Sequence, residues 1–136
     1  MKYVFLIIIC SLIGRTIAQP TNVLFVGNSF TQKNDLYKSY QNLANSKGKN
    51  VFADTLAVGG SSLKGHVLRE NTFKKFKSRS WDYVILQGFS RELYVDSSII
   101  STETVPFAQR LIDSIKKYNP CVSIYYYMTW GYAQGF

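Results

Sequence analysis

Four short apolar runs alternate along the chain with longer segments whose apolar residues recur at helical spacing. The runs are Val23-Leu24-Phe25-Val26, Val51–Ala57, Tyr83-Val84-Ile85-Leu86 and Val122–Met128. Short apolar runs closed by glycine or turn residues read as strands of the kind buried in parallel sheets. Between them the spacing predicts three helices. The first covers Asp35–Ser46, started by Asn34 or Thr31, with Leu36, Tyr40 and Leu43 on one face. The second covers Leu63–Lys77, weakened by Gly65 and Asn71. The third is capped by Ser101 or Thr102, buries Val105, Leu111, Ile112 and Ile115, and stops at Asn119-Pro120. Arg91–Ile100 is predicted to be irregular.

A β-α-β-α-β-α-β alternation calls for a parallel sheet with right-handed crossovers. The expected fold is therefore α/β, a flavodoxin-like three-layer α/β/α sandwich with strand order 2-1-3-4. In such a sheet all carboxyl ends share one edge, and ligands sit just beyond it. Ser29, Gly59-Gly60, Gln87 and Thr129-Trp130 each follow the end of a successive strand. Four separated segments thus converge on a single rim.

Two readings of Asn28-Ser29-Phe30-Thr31 follow from that placement. The polar residues can simply cap the next helix, since Asn, Ser and Thr satisfy free N–H groups at helix starts. Alternatively Ser29 is a nucleophile. A serine hydroxyl attacks an ester carbonyl when a base takes its proton, and the oxyanion that forms needs fixed donors. Candidate donors are the backbone N–H groups of Ser29 and Gly60 and the side-chain amide of Gln87. Gly60 suits this role because a residue without Cβ lets the backbone approach a substrate.

Composition narrows the class. The chain has 136 residues, 46% of them hydrophobic, which is enough for one packed core. Lys2, the apolar run Tyr3–Ile13 and the small-residue end Thr16-Ile17-Ala18 form a secretory signal peptide pattern over residues 1–18, with cleavage expected before Gln19. The run is short for a membrane span of about 20 residues. A secreted or periplasmic protein without stable membrane insertion is expected. Removing residues 1–18 takes away Lys2 and Arg15 and lowers the net charge from +8 to +6. Much of that excess, Lys74, Lys75, Lys77, Arg79, Lys116 and Lys117, falls late in two predicted helices, where cations suit the helix dipole. It reads as a solvated face rather than a nucleic-acid patch. Beyond the leader only Cys121 remains, so no internal disulfide is expected. With a single histidine, His66, no metal site is expected. The phosphate loops of nucleotide-binding folds are missing, and no cofactor is expected. The stretch around Ser29 also lacks the second glycine of the G-x-S-x-G elbow.

At these residues the sequence resembles the SGNH/GDSL hydrolases. FVGNSFT around Ser29 resembles their first block, with Asn28-Ser29 where many members have Asp-Ser. VGGSSL at Val58–Leu63 resembles the block that supplies an oxyanion glycine, here Gly60. WDYVILQGFS at Trp81–Ser90 resembles the third block, in the Gln-Gly form of the sialate O-acetylesterase-like branch. YYMTWG resembles a strand of a secreted branch that begins with GNSFT. The resemblance implies a serine hydrolase acting on small esters, commonly acyl groups on carbohydrates. It implies Ser29 as nucleophile, an oxyanion hole of Ser29, Gly60 and Gln87, and substrate contacts from Asn28, Ser90 and Trp130. The family's catalytic Asp-x-x-His block has no counterpart after Gly131. Residues 19–136 are therefore expected to be the N-terminal portion of one hydrolase domain, incomplete at the C-terminus. The role of His66 stays open. A non-catalytic, glycan-binding remnant is the other functional class, with Tyr125, Tyr126, Tyr127, Trp130 and Tyr132 available to stack on sugars.

Overall fold

A computed structural model describes residues 19–93 and 95–129. The leader pattern and Trp130 therefore lie outside the described residues. Strands β1 (Thr21–Gly27), β2 (Val51–Ala57), β3 (Tyr83–Leu86) and β4 (Ser123–Tyr126) form one sheet in the order β2-β1-β3-β4. Every neighbouring pair is parallel. The expected order is the observed one, and β1 lies inside the sheet between β2 and β3.

Alternation along β1 divides the core into two layers. Leu24 and Val26 face one side with Val84 and Leu86, and Val23 and Phe25 face the other with Val51 and Ala53. Successive strand residues point to opposite faces, so a run apolar at every position needs cover on both. Helix α2 (Leu36–Ser46) covers the Val23–Phe25 side through Leu36, Tyr37 and Ala44. The opposite side is covered by α3 (Leu63–Val67), α4 (Glu70–Lys77) and α6 (Val105–Tyr118) through Leu63, Val67, Phe76, Leu111 and Ile115. Helices on both faces make the three layers.

Several element boundaries differ from the pattern. The segment after β1 is a four-residue helix α1 (Ser29–Gln32), a 3-10 turn (Lys33–Asp35) and then α2. Asn34 and Asp35 break it with φ of 58° and 48°, a left-handed conformation that their short polar side chains tolerate. On α2, Tyr40 and Leu43, both expected on the buried face, are exposed, while Leu36 packs on the core. The predicted second helix divides into α3 and α4 at Leu68-Arg69. The predicted irregular stretch contains a short helix α5 (Ser97–Ile99), capped by Asp96 rather than by Ser101 or Thr102. A π-helical turn (Ile100–Thr104) joins it to α6. Pro106 accounts for that turn: it has no N–H to donate back along the helix, and its ring crowds the carbonyl four residues earlier. Val105, expected to be buried, is exposed there. Strand β4 is shorter than the apolar run, and Tyr125 and Tyr126 are exposed on it.

Candidate active site

The turn after β1 is held by its own bonds, Thr31 and Gln32 N–H to the Asn28 carbonyl at 3.1 and 2.9 Å, and by its neighbours. Asn28 is buried and caps α1, its Oδ1 accepting the Phe30 N–H at 3.1 Å. Its Nδ2 donates to the Ser61 carbonyl at 3.2 Å and to the Gly88 carbonyl at 3.1 Å. One side chain therefore joins the loops that follow β1, β2 and β3. The capping reading of this stretch holds at Asn28, while Ser29, the next residue, stands exposed. Among the described residues the Ser29 hydroxyl and N–H make no hydrogen bond.

Gln87 lies beneath this turn with 0% of its surface exposed. Its Oε1 accepts the Asn28 N–H at 3.0 Å and the Thr31 hydroxyl at 2.8 Å, and its Nε2 donates to the Gly88 carbonyl. These partners fix the orientation of the amide, because the Asn28 N–H can only donate and the Gly88 carbonyl can only accept. The expected use of this amide as a donor to substrate thus meets a side chain turned inward and committed to the chain. Asn28, expected at the substrate, is likewise buried and committed. Gly27 completes the packing. A Cβ there would run into Thr31 Oγ1 and Gln87 Oε1, so only glycine lets β1 pass this close to them.

Gly60 sits exposed in the loop after β2 with φ of 68°, and a Cβ on it would meet nothing within 4 Å. Its N–H makes no hydrogen bond among the described residues. The loop is tied back by Val58 N–H to the Gly27 carbonyl at 2.9 Å and by Ser61 N–H to the Val58 carbonyl at 3.0 Å.

His66 is the chain's only histidine and is fully buried in α3. Its Nε2 lies 2.9 Å from the Gly27 carbonyl. Burial first, and then the Arg69 charge, push its pKa below the ordinary 6.5, against the opposing pull of the Gly27 carbonyl. A buried ring facing a carbonyl is not positioned as a base for the exposed Ser29 hydroxyl.

A groove of about 560 Å3 runs from Gly88 along the sheet edge, lined by Leu63, Ser90, Glu92, Tyr126 and Thr129 among others. Ser90, expected at the substrate, is half-buried in its wall. Glu92 braces the groove: its carboxylate accepts the Phe89 N–H at 2.5 Å and the Leu63 N–H at 3.3 Å. Burial raises its pKa above 4.5, and those two N–H groups oppose the rise. Burial, and secondarily the Glu92 charge, also hold the Tyr126 hydroxyl above its ordinary 10. Glu92 was not legible as a site residue. A carboxylate three residues after Phe89 is a local turn-closing pattern, but its reach to α3 depends on tertiary placement. No group of metal-ligating side chains occurs among the described residues, and none of their helices is long and apolar enough to cross a membrane.

No protein-family model matches the sequence, and no curated protein sequence does. Solved structures do share the fold. One is an acetyl xylan esterase, AlAXEase, with a TM-score of 0.60 at 20% identity, covering 77% of this chain and 56% of that one. Another is the periplasmic domain of the lipopolysaccharide acetyltransferase of Salmonella ser. Paratyphi A, with a TM-score of 0.61 at 15% identity, covering 79% of this chain and 44% of that one. The chain thus spans about half the length of each. What it shares with both is the arrangement of a parallel sheet between helices, carried over most of its own length.

Proposed function

We propose that this chain carries the nucleophile half of an SGNH-type serine ester hydrolase acting on small acylated carbohydrates. The observation that carries the reading is the exposed Ser29 hydroxyl, at the carboxyl edge of the central strand, on a turn that Asn28 locks to two other loops. The likeness in fold to an acetyl xylan esterase and to an acetyltransferase domain supports it.

In this mechanism Ser29 Oγ attacks the acyl carbonyl carbon as a base removes its proton. The tetrahedral oxyanion is met by the free N–H groups of Ser29 and Gly60. The sugar hydroxyl departs with a proton, and water then releases the acid from the acyl-enzyme. Gln87 serves this site by holding the turn from beneath, a change from the expected role as third donor. Ser90 lines the substrate path along the groove, and Trp130 is proposed there on the resemblance alone. The base has to reach Ser29 from outside the described residues, because the one histidine is buried against Gly27. Export through cleavage between Ala18 and Gln19 belongs to the same proposal, on the leader pattern of residues 1–18. No metal or other cofactor enters the scheme.

The exposed Tyr125 and Tyr126 rings on β4 favour a second reading, a glycan-binding chain without turnover. Acetate release from acetylated xylan separates the two. The hydrolase reading expects release by the full-length product and none by its Ser29→Ala variant. Binding of the acetylated glycan with no acetate released would favour the second reading.

A further inference from the structure

We propose that His66 is a positioning residue for the serine turn: by holding the Gly27 carbonyl from α3, it sets the backbone N–H groups of Ser29 and Gly60 relative to each other. The catalytic part of this inference rests on the reading of Ser29 as nucleophile, and the geometric part does not.

The Gly27 carbonyl is the last of β1 before the Asn28-Ser29 turn. It accepts two hydrogen bonds, from Val58 N–H at 2.9 Å and from His66 Nε2 at 2.9 Å. A carbonyl oxygen only accepts, so Nε2 carries the proton and Nδ1 is left as a bare acceptor. Nδ1 is buried and has no hydrogen-bond partner among the described residues. An unsatisfied buried polar atom costs about 1–3 kcal/mol. An apolar side chain of similar volume would avoid that cost but would leave Gly27 with one donor. The polar function of the ring is thus confined to its bond with Gly27.

That bond joins α3 to a circuit that runs past both candidate oxyanion donors. Val58 begins the loop that carries Gly60, and Ser61 ends it, its carbonyl held by Asn28 Nδ2 at 3.2 Å. The ring itself is seated by α3. Ser62 caps that helix through the Gly65 N–H at 3.1 Å, and the His66 N–H reaches the Ser62 carbonyl at 3.0 Å. Arg69, one turn on, braces the same loop through Ser61 Oγ at 2.9 Å. Gly27, the Gly60 loop and α3 therefore meet at one carbonyl. Releasing it on the His66 side removes the tie between α3 and the end of β1, from which the Ser29 turn departs.

The test uses the full-length protein with two substitutions and two readouts. Nitrogen-15 labelling of histidine reports the tautomer, the His66 ring signals being identified by their loss in His66→Gln, and the Nε2–H form is expected. In His66→Leu the amide signals of Ser29 and Gly60 should move, while those of Lys116 and Lys117 at the far end of α6 stay. In His66→Gln, whose side-chain amide can still donate to Gly27, they should remain near their wild-type positions. For ester turnover, His66→Leu should lose on the order of 100-fold in kcat, with KM changed only a few-fold, as misplaced catalytic groups do. His66→Gln should recover most of it. An Nδ1–H tautomer, or unmoved Ser29 and Gly60 signals in His66→Leu, would overturn the inference. If His66→Leu does not fold, the wild-type tautomer and the Gln variant's signals decide it. Absent turnover by the wild-type protein would count against the hydrolase reading, and the spectra would still decide the positioning role.

Discussion

The backbone N–H of Asn28 donates to the side-chain oxygen of Gln87 across 3.0 Å, between residues 59 apart in the chain. The same oxygen takes the Thr31 hydroxyl, so the amide at the end of β3 grips both sides of Ser29. Gln87→Ala would leave the Asn28 N–H and the Thr31 hydroxyl without their partner inside the fold. The expected loss is about 2–4 kcal/mol, on the scale of a broken buried network. Denaturant midpoints measure it. A midpoint equal to wild type would show that the grip contributes nothing.

Asn28 gives a sharper test, because it uses both ends of its amide. Asp is an equally good helix cap and would keep the bond to the Phe30 N–H. Its second oxygen, however, would face the Ser61 and Gly88 carbonyls that now accept from Nδ2. Asn28→Asp is therefore expected to destabilise the fold by about 2 kcal/mol or more, despite its quality as a cap. Thermal unfolding at neutral pH checks the sign. A variant as stable as wild type would mean that the two carbonyls are held by something else.

At Gly27 the constraint is steric. Gly27→Ala puts a methyl group against Thr31 Oγ1 and Gln87 Oε1, both immobilised in the buried network. Overpacking of this kind costs about 1–3 kcal/mol. Suppression by Thr31→Ser would not be expected, because the offending hydroxyl is kept, whereas Thr31→Ala should relieve part of the clash. The double-mutant comparison by chemical denaturation decides between these outcomes.

The buried histidine makes stability depend on pH in a defined direction. Its folded-state pKa lies below the ordinary 6.5, so the unfolded chain binds the proton first. Stability is then full above 6.5 and falls as the pH drops through the folded-state value. Glu92 works the other way. Its pKa is raised above 4.5, so the native carboxyl takes a proton before the unfolded one, and its contribution favours the fold at lower pH. In His66→Gln the decline just below pH 6.5 should flatten, while Glu92→Gln should leave it in place. Unfolding midpoints at several pH values between 5 and 8 provide the check, and an unchanged slope in the Gln variant would contradict the assignment.

The strand order and the convergence of Ser29, Gly60 and Gln87 on one edge were legible because they follow from alternation and parallel topology. Apolar runs such as Val23–Val26 need cover on both faces, and that requirement alone dictates helices on each side. What pattern could not give was the direction in which a polar side chain turns. Gln87 ends a strand at the rim, yet it points under the turn because Asn28 and Thr31 offer it two donors there. The role of His66 stayed open, since its partner, the Gly27 carbonyl, lies 39 residues away across a crossover. The start of α6 was missed because the cap and the proline pull against each other. Asp96 opens a helical path well before Pro106, and the π-helical turn between them has no local signature.

The most direct test of the central claim is covalent labelling of Ser29. The full-length protein is treated with a fluorophosphonate, which reacts with activated serines, and the modified peptide is located by mass spectrometry. Ser29 is exposed and its hydroxyl makes no hydrogen bond among the described residues, so Ser29→Ala should alter stability by no more than about 0.5 kcal/mol. One labelled residue, Ser29, is expected, with labelling and ester hydrolysis both lost in a Ser29→Ala protein that unfolds at the wild-type temperature. An unlabelled Ser29 in the native protein, or ester turnover that survives Ser29→Ala, would contradict the claim.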